Sequence, residues 1–502
     1  MRVFTCKPVE EMEIYQLELE LNSRDDIPQL IEGLRYIFVT PSLRQEVFEI
    51  LTGMFPPELD LDNGRPGMDL WSILVMGVLR LGLNCDYDRL HNLVNNHRTI
   101  RQILGHGEVD DGQRYSLQTL KDNVVLFTPE ILDQVNQAVV KAGHQLIRKN
   151  LQKDSHRLAA VTPVKDKLKG RCDSFVVETN VEYPTDTRLL FDAVRKTIEL
   201  LMAECKTVGL LDWQTGQDQI RELKKLLRQL QQLKPSSAKD EAKRARRRQV
   251  IVEAHQEYLR VARAVLQQAE KTWQKLWQHS PDSKDKLLKI KEFIHHARRQ
   301  LNQIERRVIQ GETIPHQEKV FSIFEPHTEW LNKGKAGVPV ELGVAVCIVE
   351  DQHQFILHHR LMLQEVDVEL PVMMIKETQA RFPELSSCSF DQGFHSPTNQ
   401  RDLAQLLDTV ILPKKGRLSK AQQAQQQTDE FVAGRRQHAA IESAIHALEV
   451  HGLDRCPDRG LPALRRYVAL AVVARNIQLL GRYLQRQEQK QEQETAVYLK
   501  AA

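Results

Sequence analysis

No CxxC pair occurs anywhere in this 502-residue chain; its seven cysteines, Cys6, Cys85, Cys172, Cys205, Cys347, Cys388 and Cys456, are scattered. That spacing argues against a zinc site and a disulfide framework, and it fits a reducing cytoplasm. Long apolar runs are also missing. The most apolar stretches, WSILVMGVLRLGL from Trp71 and YVALAVVARNIQLL from Tyr467, each carry an arginine and fall short of a membrane span. With no amino-terminal signal pattern either, the sequence reads as a soluble, cytoplasmic protein with no membrane partner. An excess of charge of one sign is lacking too: 70 Lys and Arg stand against 67 Asp and Glu, a net +3. Whole-chain charge therefore neither demands nor excludes a nucleic-acid partner, and local charge has to decide.

What is present is ordinary globular material, 41% hydrophobic and 27% charged, at a length that exceeds one core and implies two or three domains. Residues 1–65 mix short apolar runs with Pro41, Pro56 and Pro57 and show no clear period, so they stay unassigned. Residues 66–150 form an expected helical domain, because MDLWSILVMGVLRLG, YDRLHNLVNNHRTIRQILG and PEILDQVNQAVVKAGHQLI repeat their apolar positions at helical spacing. Its His97, Arg98, Arg101 and Lys121 either hold DNA or are simply solvated.

Residues 151–186 begin an α/β core: RCDSFVVETNVEYPTD interleaves β-branched and aromatic residues with polar ones and ends in a Pro-Thr-Asp turn, as tightly joined strands do. Residues 187–315 turn helical. Leu287, Ile290, Ile294, Ala297, Leu301, Ile304 and Val308 mark a heptad seam, so this block reads as an antiparallel bundle or coiled coil. Residues 239–248 carry six cations, among them Arg244, Arg246, Arg247 and Arg248, against Asp240 and Glu241. This basic tip is either a DNA contact or a solvated connector.

Residues 316–485 return to sheet in KVFSIFEP, in VPVELGVAVCIVEDQHQFILHHRLML with a turn at Asp351 to His353, and in ELSSCSF, which delivers Asp391 at its end. VILPK follows, then two long helices, with Glu442 in the first and a polar tail at 486–502. His353, His358 and His359 suggest a metal site, but strand alternation puts His358 and His359 on opposite faces. Lys333 and Lys335, in NKGKAGVPVELG, either let a backbone approach phosphates or form a charged hairpin.

A strand with Asp173, a strand ending in Asp391 and a helix with Glu442 supply the hard oxygen ligands that phosphodiester chemistry on two Mg²⁺ ions requires. Three ionised carboxylates gathered without metal repel, by about 4 kcal/mol per pair at about 4 Å and an effective dielectric of roughly 20. Spacing alone selects this triplet weakly from 67 acidic residues.

Four motifs in order strengthen it: DSFVVETNVEYPTD opening on Asp173, FDQGFHSPTN with Asp391, RRQHAAIESAIHALEVHGLDR with Glu442, and RNIQLLGRYL with Asn476. In these the sequence resembles bacterial insertion-sequence transposases with a DDE catalytic domain, the ISNCY-like group, from about Arg65 to Gly481. The resemblance implies an RNase H-like catalytic core interrupted by a long helical insertion and preceded by a helical domain that helps bind transposon ends. It implies Asp173, Asp391 and Glu442 as catalytic metal ligands, two Mg²⁺ ions with Mn²⁺ as a substitute, and cleavage at element ends followed by strand transfer. The implied partners are double-stranded DNA, both terminal inverted repeats and target, and a second copy of the chain or a larger assembly, at the bacterial nucleoid. Where related transposases often place Tyr and Arg seven and four residues before the Glu and Lys seven after, this chain has Arg435, His438 and Glu449. Arg435 and Arg436 are then the candidates for phosphate binding one turn away. Glu178 and Asp186 read as structural carboxylates. A nuclease without strand transfer and an inactive DNA-binding relic remain the other readings.

Overall fold

The computed structural model describes residues 8–20, 23, 25–55, 67–107, 112–157, 167–279, 283–332 and 340–501. Within them the chain is α/β, mostly helix around a mixed seven-stranded sheet. Contacts divide it into two units: Met1–Asn180 with Leu331–Ala502, and Val181–Trp330. Among the described residues no helix is long and apolar enough to cross a membrane.

The first unit starts with helices where the sequence shows no period: α1 (Pro8–Tyr15), α2 (Asp26–Val39) and α3 (Pro41–Thr52). Pro56 and Pro57 lie outside the described residues, but Pro28 and Pro41 sit at helix starts. Pro28 lies in the first turn of α2, which Asp25 caps, and Pro41 is the first residue of α3, where its missing N–H is harmless. Four helices follow, α4 (Leu70–Gly82), α5 (Tyr87–Asn96), α6 (Arg98–Ile103) and α7 (Leu117–Val124), capped by Asp69, Asp86, His97 and Ser116. Then come α8 (Pro129–Arg157) and strand β1 (Leu168–Thr179). α4 is buried on every side, the mark of a core helix.

The second unit holds α9 (Asp186–Val208), α10 (Gly216–Gln232), α11 (Glu241–His279) and α12 (Lys284–Ile304). The heptad positions of α12 from Leu287 to Ile304 are buried with Leu190 and Val194 of α9, Leu223 and Leu227 of α10, and Tyr258 and Leu266 of α11. Two expectations are corrected here. The Pro-Thr-Asp sequence does not join strands: Thr185 caps α9, its hydroxyl accepting from Arg188 N. Nor is KVFSIFEP a strand, because Ser322 Oγ accepts from the backbone N–H groups of Phe324 and Glu325 at 3.3 and 3.0 Å, bending the chain while Ile323 enters the helical core.

The chain then forms β2 (Glu329–Asn332), β3 (Val340–Glu350), β4 (Ile356–Met362), α13 (Pro371–Arg381), β5 (Leu385–Phe390), α14 (Pro397–Leu406) and β6 (Thr409–Ile411). It ends with α15 (Lys420–Gln426), α16 (Asp429–His438), α17 (Ile441–Leu448), β7 (Arg455–Cys456) and α18 (Leu461–Ala501). The sheet order is β2-β3-β1-β5-β6, with β4 also on β3 and β7 on β1. β1 runs antiparallel to β3 and parallel to β5, and β5 is parallel to β6.

Alternation divides the strands between two cores. Phe175, Val177, Val344, Val346 and Ile348 pack with α4, α8 and α18, while Cys172, Cys347, Val349 and Phe390 pack with Met374 and Ile375 of α13 and Leu403 of α14. The helices of residues 66–150 thus share a core with the sheet. α2 meets α18 so closely that a Cβ on Gly33 would overlap the Ile477 carbonyl, and one on Gly481 the Gln29 carbonyl. The single long helix expected around Glu442 is also corrected: it breaks at Ala439 and Ala440 into α16 and α17.

Candidate active site

β1 sets Asp173 at the same parity as Phe175 and Val177, on the sheet face against which α17 packs. Its Oδ1 accepts from the Ser174 backbone N–H at 2.8 Å. On the neighbouring parallel strand Phe390 pairs with Cys172, so Asp391, the next residue of its chain, comes alongside Asp173. Asp391 opens the short turn Gln392–Phe394 and is exposed. Glu442 lies in the first turn of α17 and is also exposed.

Burial raises the Asp173 carboxyl to about 7, with the charges of Asp391, Glu442 and Asp367 adding to the rise against the lowering hydrogen bond from Ser174. Asp173 therefore feels the charges of both other expected residues. As they stand they do not form a cage: among the described residues no three His, Cys, Asp or Glu side chains gather tightly enough to hold a metal ion. The donors are nonetheless all carboxylate oxygens, the hard ligands that Mg²⁺ prefers.

Asp367, which follows β4, is a neighbour that the sequence did not reveal. Its Oδ1 accepts from Ser174 Oγ at 2.7 Å, and it lies against Gly393, where a Cβ would stand 3.1 Å from Asp367 Oδ2. The glycine of the Asp-Gln-Gly sequence therefore leaves room for a second carboxylate, a signal readable only once the fold is known. His438, which stands four residues before Glu442, is a second neighbour. Its Nδ1 is 3.0 Å from Ser389 Oγ, and burial lowers its imidazole below the usual value while Asp391 and Glu442 pull the other way. That contact fixes the end of α16 to β5.

Arg435 and Arg436 lie in the last turn of α16, exposed, and form no ion pair among the described residues. Lys333 and Lys335 lie outside the described residues. Arg244, Arg246 and Arg248 are exposed near the start of α11, with Arg247 half-buried. Glu178 lies 3.8 Å from Arg455 and Asp186 3.0 Å from Arg307. His358 Nε2 is 2.8 Å from Glu377 Oε2. Asn476 is structural: its Nδ2 donates to the Ile356 carbonyl at 2.9 Å and to Asn136 Oδ1 at 2.7 Å, and its Oδ1 accepts from Ile356 N at 3.0 Å.

Fold and site together define an α/β protein with a solvent-open carboxylate cluster on a mixed sheet, and a separate helical unit inserted after β1. No family model, curated protein or solved structure matches the chain.

Proposed function

We propose that this chain is a DNA transposase whose phosphoryl-transfer site is formed by Asp173, Asp391 and Glu442. The observation that carries this reading is the placement of Asp391 alongside Asp173 on two parallel strands, with the charges of Asp391 and of Glu442 in α17 both acting on the Asp173 carboxyl. The strand order β4-β3-β1-β5-β6, with β3 running against β1, supports an RNase H-like core, and the Val181–Trp330 unit is its insertion.

Asp173, oriented by the Ser174 N–H, and the exposed Asp391 and Glu442 would hold two Mg²⁺ ions, or Mn²⁺ in their place. When bound, such ions activate the attacking hydroxyl and stabilise the leaving oxygen. The protein's part is positioning. Burial of one carboxylate beside two exposed ones gives a rigid ligand and two adjustable ones, and His438 on Ser389 holds the helix end beside them. Arg435 and Arg436 present unpaired charge to the DNA backbone next to this cluster. The openness of the site suits a duplex, and joining two element ends to one target calls for a dimer or larger assembly acting at the bacterial nucleoid.

The test is a strand-transfer assay on a pre-cleaved duplex carrying the inverted repeat that flanks the coding region. Joined product that needs Mg²⁺ and vanishes in Glu442→Gln is expected. Metal-dependent cleavage without joining would make the protein a nuclease, and DNA binding with no cleavage would make it an inactive relic.

A further inference from the structure

α10 buries Leu223, Leu227 and Leu230 and turns Arg221, Lys224, Lys225 and Arg228 to solvent. Spaced by three, one and three residues, these four share one face and span about 10 Å of helix axis. With Gln229 and Gln232 they line a shallow open groove of about 300 Å³. Arg221 is paired with Asp218 at 2.8 Å, whereas Lys224, Lys225 and Arg228 form no ion pair among the described residues.

α11 extends this charge. The two helices are antiparallel neighbours: Gln219 Nε2 donates to Gln268 Oε1 at 3.0 Å, and Arg247 Nε donates to the Lys234 carbonyl at 2.9 Å. The row of cations therefore continues around the turn to Arg244, Arg246, Arg247 and Arg248, none of which has a carboxylate partner among the described residues. Residues 241–250 of α11 bury no apolar side chain. Cations near a helix N-terminus oppose the helix dipole and repel one another, and Asp240 and Glu241 at the start of α11 offset only part of that crowding. An external row of anions would offset the rest.

Resting on the DNA reading above, we propose that the α10–α11 hairpin binds the phosphate backbone of a DNA duplex, with Lys224, Lys225 and Arg228 as contacts that continue the arginine cluster of α11. Phosphates spaced about 3.4 Å per strand along the duplex axis match a charged row of this length. A lipid surface fits worse, because the side chains that line the groove are cations and glutamines, with no aliphatic or aromatic residue among them to insert. Contacts of this kind carry no base sequence, so the surface holds DNA without choosing it.

The test uses the full chain, a labelled duplex of about 30 base pairs of arbitrary sequence, and EDTA to prevent chemistry. Lys224→Gln, Lys225→Gln and Arg228→Gln are combined; glutamine keeps helix propensity, so the unit stays folded, as circular dichroism will check. The control variant removes the same charge from elsewhere on the unit: Lys271→Gln, Lys284→Gln and Lys289→Gln, all exposed. The stripe variant should bind at least about tenfold more weakly, with a log-log salt slope smaller by about 0.9 per lost contact, while the control stays near wild type. Equal weakening of both variants would reduce the effect to net charge and overturn the proposal. An unchanged slope in the stripe variant would overturn it too and leave the DNA reading standing. Failure of the wild-type chain to bind any duplex at low salt would sink both. Loss of binding to phosphatidylserine vesicles, with duplex binding intact, would assign the surface to membranes instead.

Discussion

Asp173 on β1 and Asp391 just past β5 are each the next residue after a paired position, Cys172 and Phe390 respectively. Two parallel strands thus carry their carboxylates to the same level of the sheet, and α17 adds Glu442 over β1. Asp173→Asn, Asp391→Asn and Glu442→Gln keep side-chain volume and lose the charge that a divalent ion needs. Each should lower metal-dependent cleavage by about a thousandfold or more, about 4 kcal/mol of lost transition-state stabilisation, with end binding nearly intact. Single-turnover rates on labelled duplex check this. A variant that cleaves at near wild-type rate removes its residue from the site.

The same cluster sets a pH dependence in the metal-free chain. Asp173 keeps its proton up to about 7 in the folded state, whereas the ordinary value is 3.8. Between those values the folded chain binds more protons than the unfolded one, so this group makes stability fall as pH rises through the window. Asp173→Asn should melt higher than wild type at pH about 8 in EDTA and close to it at pH about 4, with Mg²⁺ narrowing the gap at pH about 8. Thermal melts at both pH values decide it, and equal pH dependence in the two proteins would show that Asp173 ionises freely.

Strand β1 was legible because its β-branched and aromatic residues interleave with polar ones, its partner hairpin because a turn at Asp351 to His353 separates two apolar runs, and the α12 seam because its apolar positions step by three and four. Asp391 was legible as the end of a strand followed by turn residues. Three features lay beyond a local reading. α2 and α3 are held by distant α18 and α8, and their prolines sit where a helix tolerates them. KVFSIFEP has strand composition, but the Ser322 hydroxyl competes for the backbone. Asp367 reaches the site only through the topology that brings the end of β4 to Ser174.

The contact between α2 and α18 yields a sharp stability prediction. Neither Gly33 nor Gly481 has room for a methyl group, and in both cases the obstacle is a backbone carbonyl that cannot rotate away. Gly33→Ala and Gly481→Ala should each cost about 1 to 3 kcal/mol by forcing the helices apart. Chemical denaturation is the readout, and Gly53→Ala, whose tightest contact is the end of the Ile131 side chain at 2.9 Å with the Ile50 carbonyl farther off at 3.2 Å, serves as the milder comparison. If all three substitutions cost the same, backbone approach is not what these glycines provide.

Asn476 allows the structural and catalytic roles to be separated within one resemblance motif. It is fully buried, and it satisfies both the N–H and the carbonyl of Ile356 while gripping Asn136, so it ties α18 to β4 and α8. Asn476→Leu preserves volume but leaves the Ile356 N–H without its side-chain partner and Asn136 Oδ1 without its donor, at a cost of about 2 to 4 kcal/mol. Thermal melting should drop by roughly 5 to 10 °C. Asn136 shares the arrangement through its own bond to the Ile356 carbonyl at 3.0 Å, so Asn136→Ala and Asn476→Ala should be non-additive by more than about 0.5 kcal/mol in a double-mutant cycle. The Mg²⁺ concentration that gives half-maximal cleavage should be unchanged in whatever Asn476→Leu protein remains folded. A shift in that concentration without a change in melting would move Asn476 from the scaffold into the active site.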